Sequence, residues 1–110
     1  MMGVRIRVKF IWIPFDLGGH TDNPFNGMKT TVRWQKYLAE YIECAKVVQW
    51  EGIIYDSKSL QGVATCHFAM NNALPDEYLE EGNLLEFLGG YNVLSIGKII
   101  NAKQSQSDGE

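Results

Sequence analysis

Cys66 and His67 stand side by side, with Cys44 and His20 elsewhere in the chain. These four side chains have the types needed for a zinc site or a thiolate–imidazole pair. Their spacing argues against both. Zinc sites carry Cys-x2–4-Cys or His-x3–5-His pairs, and neither pattern occurs here. The stretch Val63–Met70 reads as a β-strand, where neighbouring side chains point to opposite faces, so Cys66 and His67 do not converge on one metal or one substrate. Two cysteines are also too few for a disulfide framework. The expectation is two buried thiols, a surface imidazole, no inter-cysteine disulfide, no metal and no cofactor. The chain has no Gly-x-Ser-x-Gly elbow and no Gly-x4-Gly-Lys-Ser/Thr phosphate loop. Its carboxylates fall mostly in turn-like stretches, and no enzyme is expected.

Two further groups are candidates for binding rather than catalysis. The acidic cluster Asp76-Glu77 and Glu80-Glu81 reads as a solvated turn before it reads as a recognition patch, because charge runs usually only solvate a face. Trp12, Trp34 and Trp50, with five Tyr and five Phe, serve first as bulky core. An aromatic side chain left exposed beside Arg5, Arg7, Lys9, Lys29 or Arg33 could stack on a nucleic-acid base. The formal net charge of −3 argues against nucleic acid as the main partner.

Positioning these groups falls to one domain of 110 residues, 45% hydrophobic and 21% charged, an ordinary globular composition able to hold a core without metals or disulfides. No apolar run approaches the ~18 residues of a membrane span. The start Met1-Met2-Gly3-Val4-Arg5 lacks the long apolar region of a secretion signal, so the cytoplasm is the expected compartment and no membrane is expected as a partner. Val4, Ile6, Val8 and Phe10 alternate with Arg5, Arg7 and Lys9, the pattern of a half-buried antiparallel strand that Pro14 ends.

From Pro14 to Gly27 the chain is full of breakers: Pro14, Gly18-Gly19, Asn23-Pro24 and Asn26-Gly27. This predicts a long shaped loop, with Asn26-Gly27 as a hairpin turn into a strand over Met28–Trp34. Between Gln35 and Lys46 the apolar residues fit a helical stripe or a pair of short strands. Strands follow over Val47–Tyr55, with a bulge or bend at Gly52, and over Val63–Met70. Pro75-Asp76-Glu77 predicts a short helical turn that Gly82 stops. A final hairpin pairs Leu84–Leu88 with Val93–Ile100 across Gly89-Gly90, and residues 103–110 form a disordered polar tail.

Two segments carry a family resemblance. One is Phe10-Ile11-Trp12-Ile13, Gly18-Gly19-His20-Thr21 and Pro24-Phe25-Asn26-Gly27. The other is Leu79-Glu80-Glu81-Gly82, Leu85-Glu86-Phe87, Gly89-Gly90 and Ser95-Ile96-Gly97-Lys98-Ile99. In order and separation, over residues 4–102, they resemble the C-terminal, third domain of elongation factor Tu. The chain departs from that pattern in three places. Asp22-Asn23 intervene between Thr21 and Pro24, Met28-Lys29-Thr30 follow Gly27, and Tyr91-Asn92 follow the Gly-Gly turn. The resemblance implies a six-stranded antiparallel barrel over residues 1–102, standing alone, and favours a strand, turn and strand over Gln35–Trp50. In that family the domain contacts aminoacyl-tRNA and packs on a nucleotide-binding domain. Of the tRNA-facing positions, only Gly89 and Gly90 carry over.

The expected function is therefore a non-enzymatic binding module. Its partner is a protein of unknown identity, with RNA binding in translation as the alternative. The expected contact residues are Phe15, Leu17, Gly18, Gly19, His20 and Phe25 in the long loop, with Gly89 and Gly90 in the final turn. At least one of Phe15, Leu17 and Phe25 is expected to be exposed, because apolar anchors dominate interface energies.

Overall fold

A computed structural model describes residues 3–19, 22–35, 46–68, 76–90 and 92–105. Six strands follow one another: β1 (Gly3–Trp12), β2 (Lys29–Trp34), β3 (Lys46–Asp56), β4 (Gln61–Phe68), β5 (Leu84–Gly89) and β6 (Asn92–Ser105). Short 3₁₀ turns occupy Phe15–Leu17 and Asp76–Leu79. All neighbours are antiparallel and the sheet closes on itself in the order β1-β4-β3-β2-β5-β6. The protein is an all-β, six-stranded barrel.

The period-two pattern of β1 sets which side of the wall faces the core. Val4, Ile6, Val8, Phe10 and Trp12 are buried, while Arg5, Lys9 and Ile11 are exposed and Arg7 is half-buried. Closure is antiparallel and curved, and three bulges keep the alternation in phase as the strands bend. In β3, Gly52 and Ile53 stand against one residue of β4, with Gly52 at φ +58. Val48 and Trp50 point inward before that bulge, and the half-buried Ile53 and Tyr55 continue the inner phase after it. In β6 the register with β1 shifts past Ile100. Ile99 is buried there, yet Asn101 and Lys103 are exposed on the outer side, where strict alternation would have turned them inward. A third shift lies between β5 and β6, beside Leu94.

All three tryptophans are core. Trp50 lies edge-on to Phe10 and Phe87 at 5.0 and 4.8 Å between ring centres, and its indole N–H donates to the Thr30 hydroxyl at 3.0 Å. Such aromatic pairs add about 0.5–1.5 kcal/mol each beyond area burial. No helix among the described residues is long and apolar enough to cross a membrane.

Two expectations change. Asn26-Gly27 forms a turn, with the Met28 N–H on the Phe25 carbonyl at 3.2 Å, but no hairpin. β2 pairs with β3 and β5 and has no partner strand directly before it, because the breaker-rich chain upstream cannot hold a ladder. Residues 103–105, expected in the polar tail, belong to β6, which stays on β1 as far as Ser105 opposite Gly3; residues 106–110 lie outside the described residues. The alternatives for Gln35–Lys46 fall largely on residues 36–45, outside the described residues.

Candidate functional site

The barrel order puts β1 and β2 on opposite sides of the cylinder. The chain from Ile13 to Met28 must therefore cross one end of it, here called the mouth. The β5–β6 turn at Gly90 and the β3–β4 turn at Ser57–Leu60 open at the same end, because Trp12 pairs with Ser95 and its N–H donates to the Leu60 carbonyl at 2.7 Å. The predicted contact residues of the long loop and of the final turn thus share one end of the molecule. His20 lies outside the described residues.

The crossing is tied down at several points. The Ile13 N–H reaches the Leu94 carbonyl at 2.9 Å, and the Pro14 carbonyl accepts from both Leu17 and Gly19 at 3.0 Å. This builds the 3₁₀ turn, which Gly18 ends at φ +96, a conformation that costs glycine little. Gly19 is buried against the strand end, where a Cβ would sit 1.8 Å from the Ile13 carbonyl oxygen. Further on, the Trp12 indole donates to the Asp22 carbonyl at 3.1 Å. The Gly27 N–H reaches the Trp50 carbonyl at 2.6 Å, and the Asn26 side chain accepts from Ile53 N–H at 3.2 Å.

On this anchored backbone the apolar side chains face water. Phe15 is 66% exposed, Leu17 74% and Phe25 52%. Gly90 takes φ +65 in the opposing turn, and a Cβ on Gly89 would press on Leu94 at 2.9 Å. The mouth is a ring of tight turns holding three apolar side chains outward, and it can make an apolar contact with another surface.

The chemical candidates separate as the strand geometry requires. Cys66 is buried in the barrel and His67 faces outward, with Nε2 3.3 Å from a Glu51 carboxylate oxygen. Burial pushes the Cys66 thiol well above its ordinary range, with Arg7 a smaller opposing influence, so the group is a protonated core side chain rather than a nucleophile. Cys44 lies outside the described residues. Among the described residues, no three His, Cys, Asp or Glu side chains gather closely enough to hold a metal ion. Glu77 and Asp76 are exposed on the Asp76–Leu79 turn, as a solvated turn requires.

Sequence reasoning missed a feature of the barrel wall. The outer surfaces of β1 and β6 bring Arg5 opposite Lys103 and Lys9 opposite Lys98, with Arg7 between them. The alternation of β1 shows the first half of this strip, but the β6 bulge that turns Lys103 outward leaves no mark in the sequence. Comparison with protein-family models and with curated proteins finds no match to this chain.

Proposed function

We propose that the protein is a non-enzymatic binding barrel, similar to the third domain of elongation factor Tu, whose mouth docks a protein partner in the cytoplasm. The exposure of Phe15, Leu17 and Phe25 on a backbone hydrogen-bonded to the barrel is the observation that carries this reading. Apolar anchors held in place lose little conformational entropy on docking, so more of their burial energy appears as affinity. Gly18, Gly19, Gly89 and Gly90 shape the surrounding turns. A net charge of −3 favours protein over nucleic acid at this surface.

Affinity capture from native-cell lysate, with and without RNase, tests the reading when the wild type is run beside a Phe15→Ala/Leu17→Ala/Phe25→Ala variant. The expected result is a stoichiometric protein partner that survives RNase and is lost with the variant. RNase-sensitive recovery would point instead to RNA binding in translation. Equal recovery by the variant would move the binding surface away from the mouth.

A further inference from the structure

The wall formed by β1 and β6, with its flanks on β4 and β5, is divided by chemistry. Nearest the mouth, Ile11 on β1 pairs with Ile96 on β6, and both are exposed. Leu84 on β5 extends the apolar area to one side, through Lys98 in the pairing register. Midway along the wall Lys9 and Lys98 stand directly opposite each other. Farther from the mouth, Arg5, Arg7, Lys103, Asn101 and Thr65 line a shallow concavity of about 190 Å³. The Arg7 guanidinium is steered there by hydrogen bonds to the Thr65 hydroxyl at 2.8 Å and the Gly52 carbonyl at 3.2 Å.

Half of the ten Lys and Arg residues of a chain with net charge −3 lie on this strip. None of the five pairs with a carboxylate among the described residues. The acids that border the wall are engaged elsewhere: Glu51 beside His67, Glu86 with Arg33 and Gln35, and Asp56 with the Lys58 N–H and the Ser59 hydroxyl. Like charges directly opposite one another destabilise a sheet. The Lys9–Lys98 pair therefore carries a folding cost that a bound carboxylate removes.

We infer that this wall is a second docking surface, for an acidic segment of another protein that lays carboxylates along Arg5, Arg7, Lys9, Lys98 and Lys103 and aliphatic side chains on Ile11, Ile96 and Leu84. Three observations choose that occupant. The exposed apolar residues of the wall are aliphatic, so bases find no aromatic platform on which to stack. A second copy docked by two-fold symmetry sets the Lys9–Lys98 region against its own like charges. The strip from Arg5 to Ile11 is about 20 Å long, and the three adjacent strands β1, β6 and β5 that carry the contact residues are about 10 Å wide, about a quarter of one side of a standard interface. That area suits a peptide segment better than a whole domain. The surface uses none of the mouth residues and is independent of the function proposed above.

Fluorescence anisotropy with a labelled 16-residue Glu/Leu peptide, Leu recurring at helical spacing, tests the inference on the intact chain. The expected result is saturable binding at low salt that weakens as salt screens the charges. Lys9→Glu/Lys98→Glu and Ile11→Ser/Ile96→Ser should each reduce affinity at least tenfold. The milder Lys9→Gln/Lys98→Gln serves if the charge reversal fails to fold. The Phe15→Ala/Leu17→Ala/Phe25→Ala variant should bind the peptide as the wild type does. Absence of binding up to about 1 mM peptide, equal binding by the wall variants, or loss only in the mouth variant overturns the proposal. Tighter binding of a 16-nucleotide RNA than of the peptide also overturns it and assigns the wall to nucleic acid.

Discussion

The two ends of the barrel treat their apolar side chains in opposite ways. At the end away from the mouth, Trp34 stacks on Phe68 at 5.8 Å and meets Tyr78 at 5.1 Å, and its indole donates to the Tyr78 carbonyl at 2.8 Å. The covering segment is bound to the wall by the Gly82 N–H on the Ile99 carbonyl at 2.7 Å and the Ile99 N–H on the Asn83 carbonyl at 3.0 Å, and the Asn83 side chain braces it from within by donating to the carbonyls of Glu77 and Tyr78. At the mouth, a backbone also hydrogen-bonded to the barrel holds Phe15, Leu17 and Phe25 in water. Burying one such side chain is worth about 1.5–3 kcal/mol. The chain collects that energy at one end and forgoes it at the other, although the covering backbone is hydrogen-bonded to the barrel at both. Exposure at the mouth thus goes with described backbone that is hydrogen-bonded to the barrel.

The largest effects should come from the aromatic residues that close each end. Trp34→Ala should cost about 3–5 kcal/mol of stability, since it opens a cavity and strips Tyr78 of its indole donor. Trp12→Ala should cost a comparable amount and also remove the indole hydrogen bond to the Asp22 carbonyl. Chemical denaturation measures both. A loss below about 1 kcal/mol for Trp34→Ala would mean that its end is as open as the mouth. Gly19→Ala comes next, at about 1–3 kcal/mol by overpacking, because the new methyl group meets the Ile13 carbonyl. A neutral result there would show that the crossing shifts freely over the barrel.

A smaller, pH-dependent effect tests the core that joins the two ends. Burial raises the Cys66 thiol above its ordinary value. The folded protein therefore holds this proton at a pH where the unfolded chain, titrating near pH 8.5, has released it. The stabilising contribution is complete below that pH and is lost as pH rises towards the folded value, by up to about 1.4 kcal/mol per pH unit. Tyr55 is raised by desolvation and then by Asp56, so it adds to the loss at still higher pH. Thermal melts from pH 8 to 10.5 should fall more steeply for the wild type than for Cys66→Val. Parallel curves would show that water reaches the thiol.

Much of the wall was legible in the sequence, because Val4 to Phe10 alternate without interruption and glycine at position 52 marks a bulge. The Leu84–Ile100 hairpin was legible for the same reason, as a Gly-Gly turn between two apolar runs. The bulge beside Ile100 was not: it carries no glycine, and it follows from fitting β6 to the curvature of β1 rather than from local preference. The basic strip depends on that bulge and was hidden with it. At the mouth, breakers announced a shaped crossing but not its path, because the path is set by which strands become neighbours. The hairpin expected at Asn26-Gly27 failed for that reason, its turn being docked on β3 instead of joining two paired strands.

The smallest stability effect is the one that bears most on function. Phe15, Leu17 and Phe25 are each more than half exposed, so truncating any of them removes little buried area and leaves no internal cavity. Each Ala variant should stay within about 0.5 kcal/mol of the wild type in denaturant. On the proposed reading, the same changes should weaken partner binding by about 1–2 kcal/mol or more, because an anchor pressed into a partner loses its full burial when cut back. The two measurements must diverge for the mouth to be a docking surface. If stability instead falls by about 2–5 kcal/mol, as for a core truncation, these side chains pack against the barrel in solution. The mouth would then be a lid like the opposite end, and the contrast between the two ends would vanish.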